Sequence, residues 1–100
     1  MLIIAGTITV NPDDRDKFLA LRQDTVAAAR QMKGCLEYAF SADIVDPSCV
    51  RLFERWESED DVAAWMAAHH TGSDQSGQPY VPIQRMDFLK HQISSTGPID

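Results

Sequence analysis

The sequence predicts an α+β fold of order βαββαβ, a four-stranded antiparallel sheet carrying two helices, and three observations predict it. Four stretches of β-branched, aromatic or alternating apolar residues are interleaved with two stretches of 3.6-residue periodicity. Each helical stretch opens on a capping residue followed by acids, Asn11-Pro12-Asp13-Asp14 and Ser58-Glu59-Asp60-Asp61. At 100 residues the chain has room for one core, so every element must share it. The domain is expected over residues 1–93, with 94–100 a polar tail.

Leu2 to Val10 is apolar on both faces at first and then alternates through Thr7, Ile8, Thr9 and Val10, a strand with little free surface. Asn11 caps the first helix, Pro12 fits its first position, and Asp13 and Asp14 oppose the positive end of its dipole. Phe18, Leu21, Thr25, Ala28 and Met32 make one apolar stripe, and Gly34 suits a left-handed stop after Lys33. Cys35 to Asp43 is the second strand, with Leu36, Tyr38, Phe40 and Ala42 on one face and Glu37 and Ser41 on the other. The turn falls on Ile44 to Ser48, where Pro47 presets φ.

Cys49 to Glu57 is the third strand, and Ser58 caps a second helix whose inward stripe is Val62, Trp65, Met66 and His69. Thr71 to Pro82 is a long turn-rich loop, of the kind that is usually functional or mobile, and Tyr80 within it either closes over a ligand or lies in solvent. Ile83 to Ile93 is the last strand. The order is the ferredoxin-like, split βαβ arrangement.

Net charge is −6 and the nine Lys and Arg residues form no run, so the basic footprint of nucleic-acid or anionic-membrane binding is missing. No apolar run approaches the ~20 residues of a membrane span, and Met1-Leu2-Ile3-Ile4-Ala5 has no basic leader. A cytoplasmic protein with no membrane partner is expected. Cys35 and Cys49 begin the two strands of one hairpin and so lie on the order of 20 Å apart at ~3.3 Å per residue. That excludes a bridge between them and leaves two reduced thiols. Their spacing also matches no zinc motif, so no metal is expected.

Two helices cover one sheet face only. The strands are nevertheless apolar on both, with Leu2, Ile3 and Ile4 in succession, Leu52 beside Phe53, and Phe88 beside Leu89. A second copy of the chain is the simplest cover, stacking sheet on sheet about a two-fold axis as a dimeric α/β barrel.

The stretches Ala5 to Val10, Asp14-Arg15-Asp16, Gly34-Cys35-Leu36 and above all Phe53-Glu54-Arg55-Trp56-Glu57-Ser58 resemble the antibiotic biosynthesis monooxygenase family, over essentially the whole domain. The resemblance implies a dimeric α/β barrel and, as the leading activity, cofactor-independent oxygenation of a quinol- or polyketide-type aromatic substrate by molecular oxygen. Many relatives carry a histidine nine residues after the strand tryptophan and another about five later. Here those places are Trp65 and His69-His70. Of the haem-degrading relatives' site this chain matches only the tryptophan, as Trp65; the strand Asn position is Thr7 and the ligand place falls near Gln75. A haem-degrading role is therefore not expected.

Cofactor-free oxygenation asks for a dry pocket, a group that removes a proton and exclusion of water. The chain shows no phosphate-binding glycine loop and no flavin or nicotinamide fingerprint. The candidate catalytic residues are His69, His70 and Arg85. His69 shares a helix face with Trp65, and is either a general base with its pKa lowered by burial or a residue satisfying the helix end. Arg85, if it faces the sheet interior, either pairs with Glu54 or steadies a substrate oxyanion. Trp65, Phe53, Tyr38 and Tyr80 are the candidate substrate walls. The alternative is a non-catalytic dimeric domain that binds small molecules or another protein. An isomerase, needing a base and no oxygen, is the third reading.

Overall fold

The structure, a computed structural model, describes residues 1–69 and 80–99. The strands are β1 (Leu2–Val10), β2 (Cys35–Ala42), β3 (Cys49–Trp56) and β4 (Ile83–Gln92), in sheet order β2-β3-β1-β4, all antiparallel. This is the expected ferredoxin-like order. Between β1 and β2 run a 3-10 turn (Pro12–Asp14), α1 (Arg15–Leu21) and α2 (Gln23–Arg30); α3 (Glu59–Ala68) lies between β3 and β4.

The first helix is thus two helices rather than one. At Arg22 the backbone N–H bonds to Leu19 O, three residues back, before Val26 N–H resumes the four-residue pattern onto Arg22 O. The tightened turn coincides with Arg22 folding its guanidinium over the Phe18 ring, 4.7 Å from the centroid. The two N-caps behave as expected, whereas α2 ends at Arg30 with Gln31 as its C-cap, short of the expected stop at Gly34. Asn11 accepts from Asp13 N–H and Ser58 from Asp61 N–H, each satisfying an amide that the helix leaves free. Gly34 takes φ +83°, and a Cβ there would run into the Asp61 carboxylate.

Strand pairing fixes the faces. Leu2, Ile4, Gly6 and Ile8 of β1 sit opposite Trp56, Glu54, Leu52 and Val50 of β3 and point at the helices, because cross-strand partners share a face. Two buried clusters result. One joins Leu2, Tyr38, Leu52, Trp56, Val62 and Trp65; the other joins Ile8, Val10, Phe18, Val50 and Val81. Phe40 and Phe88 pack against both. Full burial of a side chain such as Trp56 or Phe18 stabilises by about 1.5–3 kcal/mol or more. The Arg15 guanidinium ties α1 to the β2–β3 turn, donating to the carbonyls of Asp43, Asp46 and Cys49 at 3.0, 2.9 and 3.3 Å.

Among the described residues the opposite face carries no helix. Across it runs an apolar row, Ala39, Phe53, Ala5 and Leu89, set by the register of the four strands. Leu89 is 67% exposed. On either side lie charged rows, with Arg55 paired to Glu37 at 3.5 Å, Arg51 to Asp43 at 2.8 Å and Arg85 to Asp87 at 2.6 Å. No helix among the described residues is long and apolar enough to cross a membrane.

Two further expectations are corrected. Met66 is 59% exposed, because the buried side of α3 runs through Asp61, Val62 and Trp65. Leu36 turns outward, since β2 slips register between Cys35 and Glu37. Cys35 and Cys49 are free, as expected.

Candidate functional site

Glu54 lies on the helix-facing side of β3, between Ile4 of β1 and Tyr38 of β2 in the same transverse row. It is 6% exposed. Its Oε1 accepts the indole N–H of Trp56, two residues on and on the same face, at 2.9 Å. Burial pushes the carboxyl above its ordinary value, and the indole N–H pulls it partly back. A buried carboxylate with one donor is under-satisfied, so it holds a proton more tightly than one in water.

Tyr38 closes one side of this group. Burial first, and the Glu54 charge second, lift its hydroxyl well above the usual phenol range. Its ring meets Trp65 edge-on at 5.5 Å between centroids and Phe40 at 6.0 Å. Trp65 tilts against Trp56 at 6.3 Å and stacks on His69 at 3.9 Å. The result is an aromatic wall of Tyr38, Trp56 and Trp65 with an acid behind it and an imidazole at its open end.

His69 is the residue that ends α3: its N–H bonds to Trp65 O at 2.9 Å, and its side chain is exposed. His69 therefore does not take the buried position that the inward stripe predicts, although its ring stacks on Trp65. His70 and Gln75, and the loop from 70 to 79, lie outside the described residues.

Of the other sequence candidates, Tyr38 and Trp65 come together with His69. Phe53 does not: it lies on the opposite face, in the apolar row. Arg85 is also on that face, opposite Thr9. It is exposed and bonded to Asp87, not to Glu54, which corrects the expected buried pair. Thr7, opposite Arg51 and Asp87, faces away from Trp65 as well. Tyr80 is 73% exposed.

Two residues escaped the sequence reading. Glu54 was considered only as an ion-pair partner, although the alternation Val50, Leu52, Glu54, Trp56 already puts an acid on the buried face beside an indole. Arg22 carried the signal of standing one helical turn after Phe18. Its Nε is buried with no hydrogen-bond partner among the described residues, and burial lowers its pKa while the neighbouring Tyr38 raises it.

Two cavities lie along β2 rather than beside His69. One of about 260 Å³ is lined by Arg30 and residues 35–39. The other, about 570 Å³, runs between the α1–α2 stripe Leu19, Arg22, Val26 and Arg30 and strand residues Phe40 to Ala42. Among the described residues there is no cluster of three or more His, Cys, Asp or Glu able to hold a metal ion.

The family model described as antibiotic biosynthesis monooxygenase matches residues 1–73. An uncharacterized protein of Synechocystis sp. is 33% identical over 57 residues, which are 57% of this chain and 39% of that protein. The matched segment thus spans well under half the length of that curated relative. Among solved structures, an antibiotic biosynthesis monooxygenase-type protein of Deinococcus radiodurans superposes with a TM-score of 0.79 at 18% identity, covering 100% of this chain and 99% of that one. A Pseudomonas aeruginosa protein, PA3566, gives 0.75 at 20% identity, covering 93% and 94%. The heme-degrader MhuD of Mycobacterium tuberculosis, with two hemes bound in its active site, gives 0.69 at 14% identity, covering 98% and 100%. At these identities the likeness is one of fold.

Proposed function

The chain belongs to the antibiotic biosynthesis monooxygenase family, and from that premise we propose that it oxygenates an electron-rich aromatic small molecule, of the quinol or polyketide type, without a cofactor. The observation that carries this reading is the buried Glu54 carboxyl behind the Tyr38–Trp56–Trp65 wall. An anthrone-type substrate loses two hydrogens from its methylene and gains one oxygen atom, while the second atom of O2 leaves as water; all four electrons come from the substrate. The protein's task is to take the first proton and keep the resulting carbanion dry.

Glu54, with its raised pKa, is the proton acceptor in this proposal. His69, at the solvent end of Trp65, passes that proton to water, and Trp65 presents an aromatic face to a flat substrate. His70 is a second proton carrier by sequence position. Arg85, on the far face, is proposed instead to act in the assembly of the homodimer. The apolar row of Ala39, Phe53, Ala5 and Leu89, flanked by ion pairs, supports sheet-to-sheet pairing of two copies.

Oxygen uptake with anthrone and hydroquinone panels tests the chemistry. Uptake by the wild type, cut about 100-fold or more in Glu54→Gln and about tenfold in His69→Ala, is expected for lost general-base steps. Uptake equal in all three proteins removes the roles assigned, and turnover that persists without oxygen points to an isomerase. A second reading, a domain that binds without reacting, is favoured by one observation: the cavities open along β2, at a distance in sequence and in the sheet from the exposed His69.

A further inference from the structure

We propose that the groove between α2 and the edge strand β2 binds an aromatic carboxylate, with Arg22 as its anion-holding residue. The inference does not depend on oxygenase activity. The groove is about 570 Å³, within the ~300–1,000 Å³ range of small-molecule sites. Its walls are apolar along Leu19, Val26 and Phe40, and its cations are Arg22 and Arg30. No acid lines it. In a chain of net charge −6, a concavity with two guanidinium groups and no carboxylate selects an anion.

The two arginines are not equivalent. Arg30 is engaged, its Nε donating to Tyr38 O at 3.0 Å and so covering the free edge of β2. Arg22 is not engaged at Nε, which is buried without a partner among the described residues. Its guanidinium lies over Phe18 at 4.7 Å, a contact that offsets part of the charge's desolvation but gives the N–H no acceptor. A buried unmet donor is unfavourable and uncommon, and an arriving acceptor recovers what its burial costs.

A carboxylate fits that need. Nε–H and a neighbouring Nη–H point the same way from the planar guanidinium and pair with two oxygens at once. To make that pair, Arg22 must swing from Phe18 toward the groove, where the ring of the ligand lies against Val26 and Phe40. A neutral amide of the same shape offers a single carbonyl acceptor and no charge, and so pairs more weakly.

The test uses the full chain, 15N-labelled, titrated with 2-naphthoate and with 2-naphthamide as the neutral counterpart. The expected result is saturable shifts at Arg22 Nε–H, Val26 and Phe40 with 2-naphthoate, and binding at least tenfold weaker for 2-naphthamide. Arg22→Gln is expected to weaken 2-naphthoate binding at least tenfold and to abolish the difference between the two probes. Ala27→Trp fills the groove while keeping Arg22, and abolishes binding; it decides the matter if Arg22→Gln does not fold. Equal affinity for the two probes, naphthoate binding unchanged in both variants, or shifts confined to Trp65 and His69 would overturn the proposal.

Discussion

Replacing Trp56 by Phe isolates the bond that holds the Glu54 carboxyl in the core. The indole N–H donates to Glu54 Oε1 at 2.9 Å, Glu54 is 6% exposed and Trp56 is fully buried. A hydrogen bond to a charged group contributes about 1.5–3 kcal/mol, and the smaller Phe ring adds a partial void, so the substitution costs about 2–4 kcal/mol at neutral pH. For a domain of this size that is a fall of roughly 10–25 °C in Tm. In a Glu54→Gln background the same change removes only a neutral bond, worth about 0.5–1.5 kcal/mol. Thermal denaturation of the four proteins of this double-mutant cycle at several pH values measures the difference directly. The sign with pH follows from the raised pKa of Glu54 above its ordinary 4.5. Between those two values the folded state binds more protons than the unfolded one, so the stability that protonated Glu54 confers is complete below pH about 4.5 and is lost as pH climbs through the folded value. Glu54→Gln should flatten that decline. Equal costs of Trp56→Phe in both backgrounds, together with an unchanged pH profile in Glu54→Gln, would refute the reasoning.

Asp43 behaves oppositely. Bonds from the Asp46 amide, the Arg51 side chain and the Val45 amide hold its carboxyl at about 2, so its contribution is present above its ordinary 3.8 and lost as pH falls from about 4 toward 2; a carboxyl 13C titration with a midpoint near 4 would contradict it. The uncovered sheet face predicts a dimer by sedimentation, and Leu89→Lys should raise its Kd at least tenfold, since burying a leucine is worth about 1.5–3 kcal/mol. A wild type that sediments as a monomer at 100 μM refutes that expectation.

Most of the fold was legible because its signals are local. Asn11 and Ser58 mark helix starts through groups within three residues, and apolar stretches bounded by turn and cap signals mark the strands. What escaped depends on contacts made across the chain. The break at Arg22 has no proline or glycine to announce it, and accompanies a guanidinium settling on Phe18. The outward turn of Leu36 comes from a register slip against β3. A pair between Arg85 and Glu54 requires both on the inner face, yet through β1 their registers run to Thr9 and Ile4, residues of opposite parity. A strand residue shows its face only once its partner is known.

That parity also orders the candidate site. Phe53 and Glu54 are consecutive, so β3 presents its aromatic ring to the bare face and its acid to the helices. In the proposed reading the apolar row would serve assembly, and the proton chemistry would be confined to the layer beneath α3. Substitutions on the bare face should alter association while leaving the Glu54–Trp56 bond in place, because the sheet backbone separates the two. The aromatic wall and the α2–β2 groove, by contrast, share Tyr38, whose carbonyl receives Arg30 and whose hydroxyl feels both Glu54 and Arg22. An anion drawn to Arg22 would lower the positive field at Tyr38, and with it the charge balance around Glu54. The groove and the buried acid are thus electrostatic neighbours, whereas the sheet keeps the bare face apart from both.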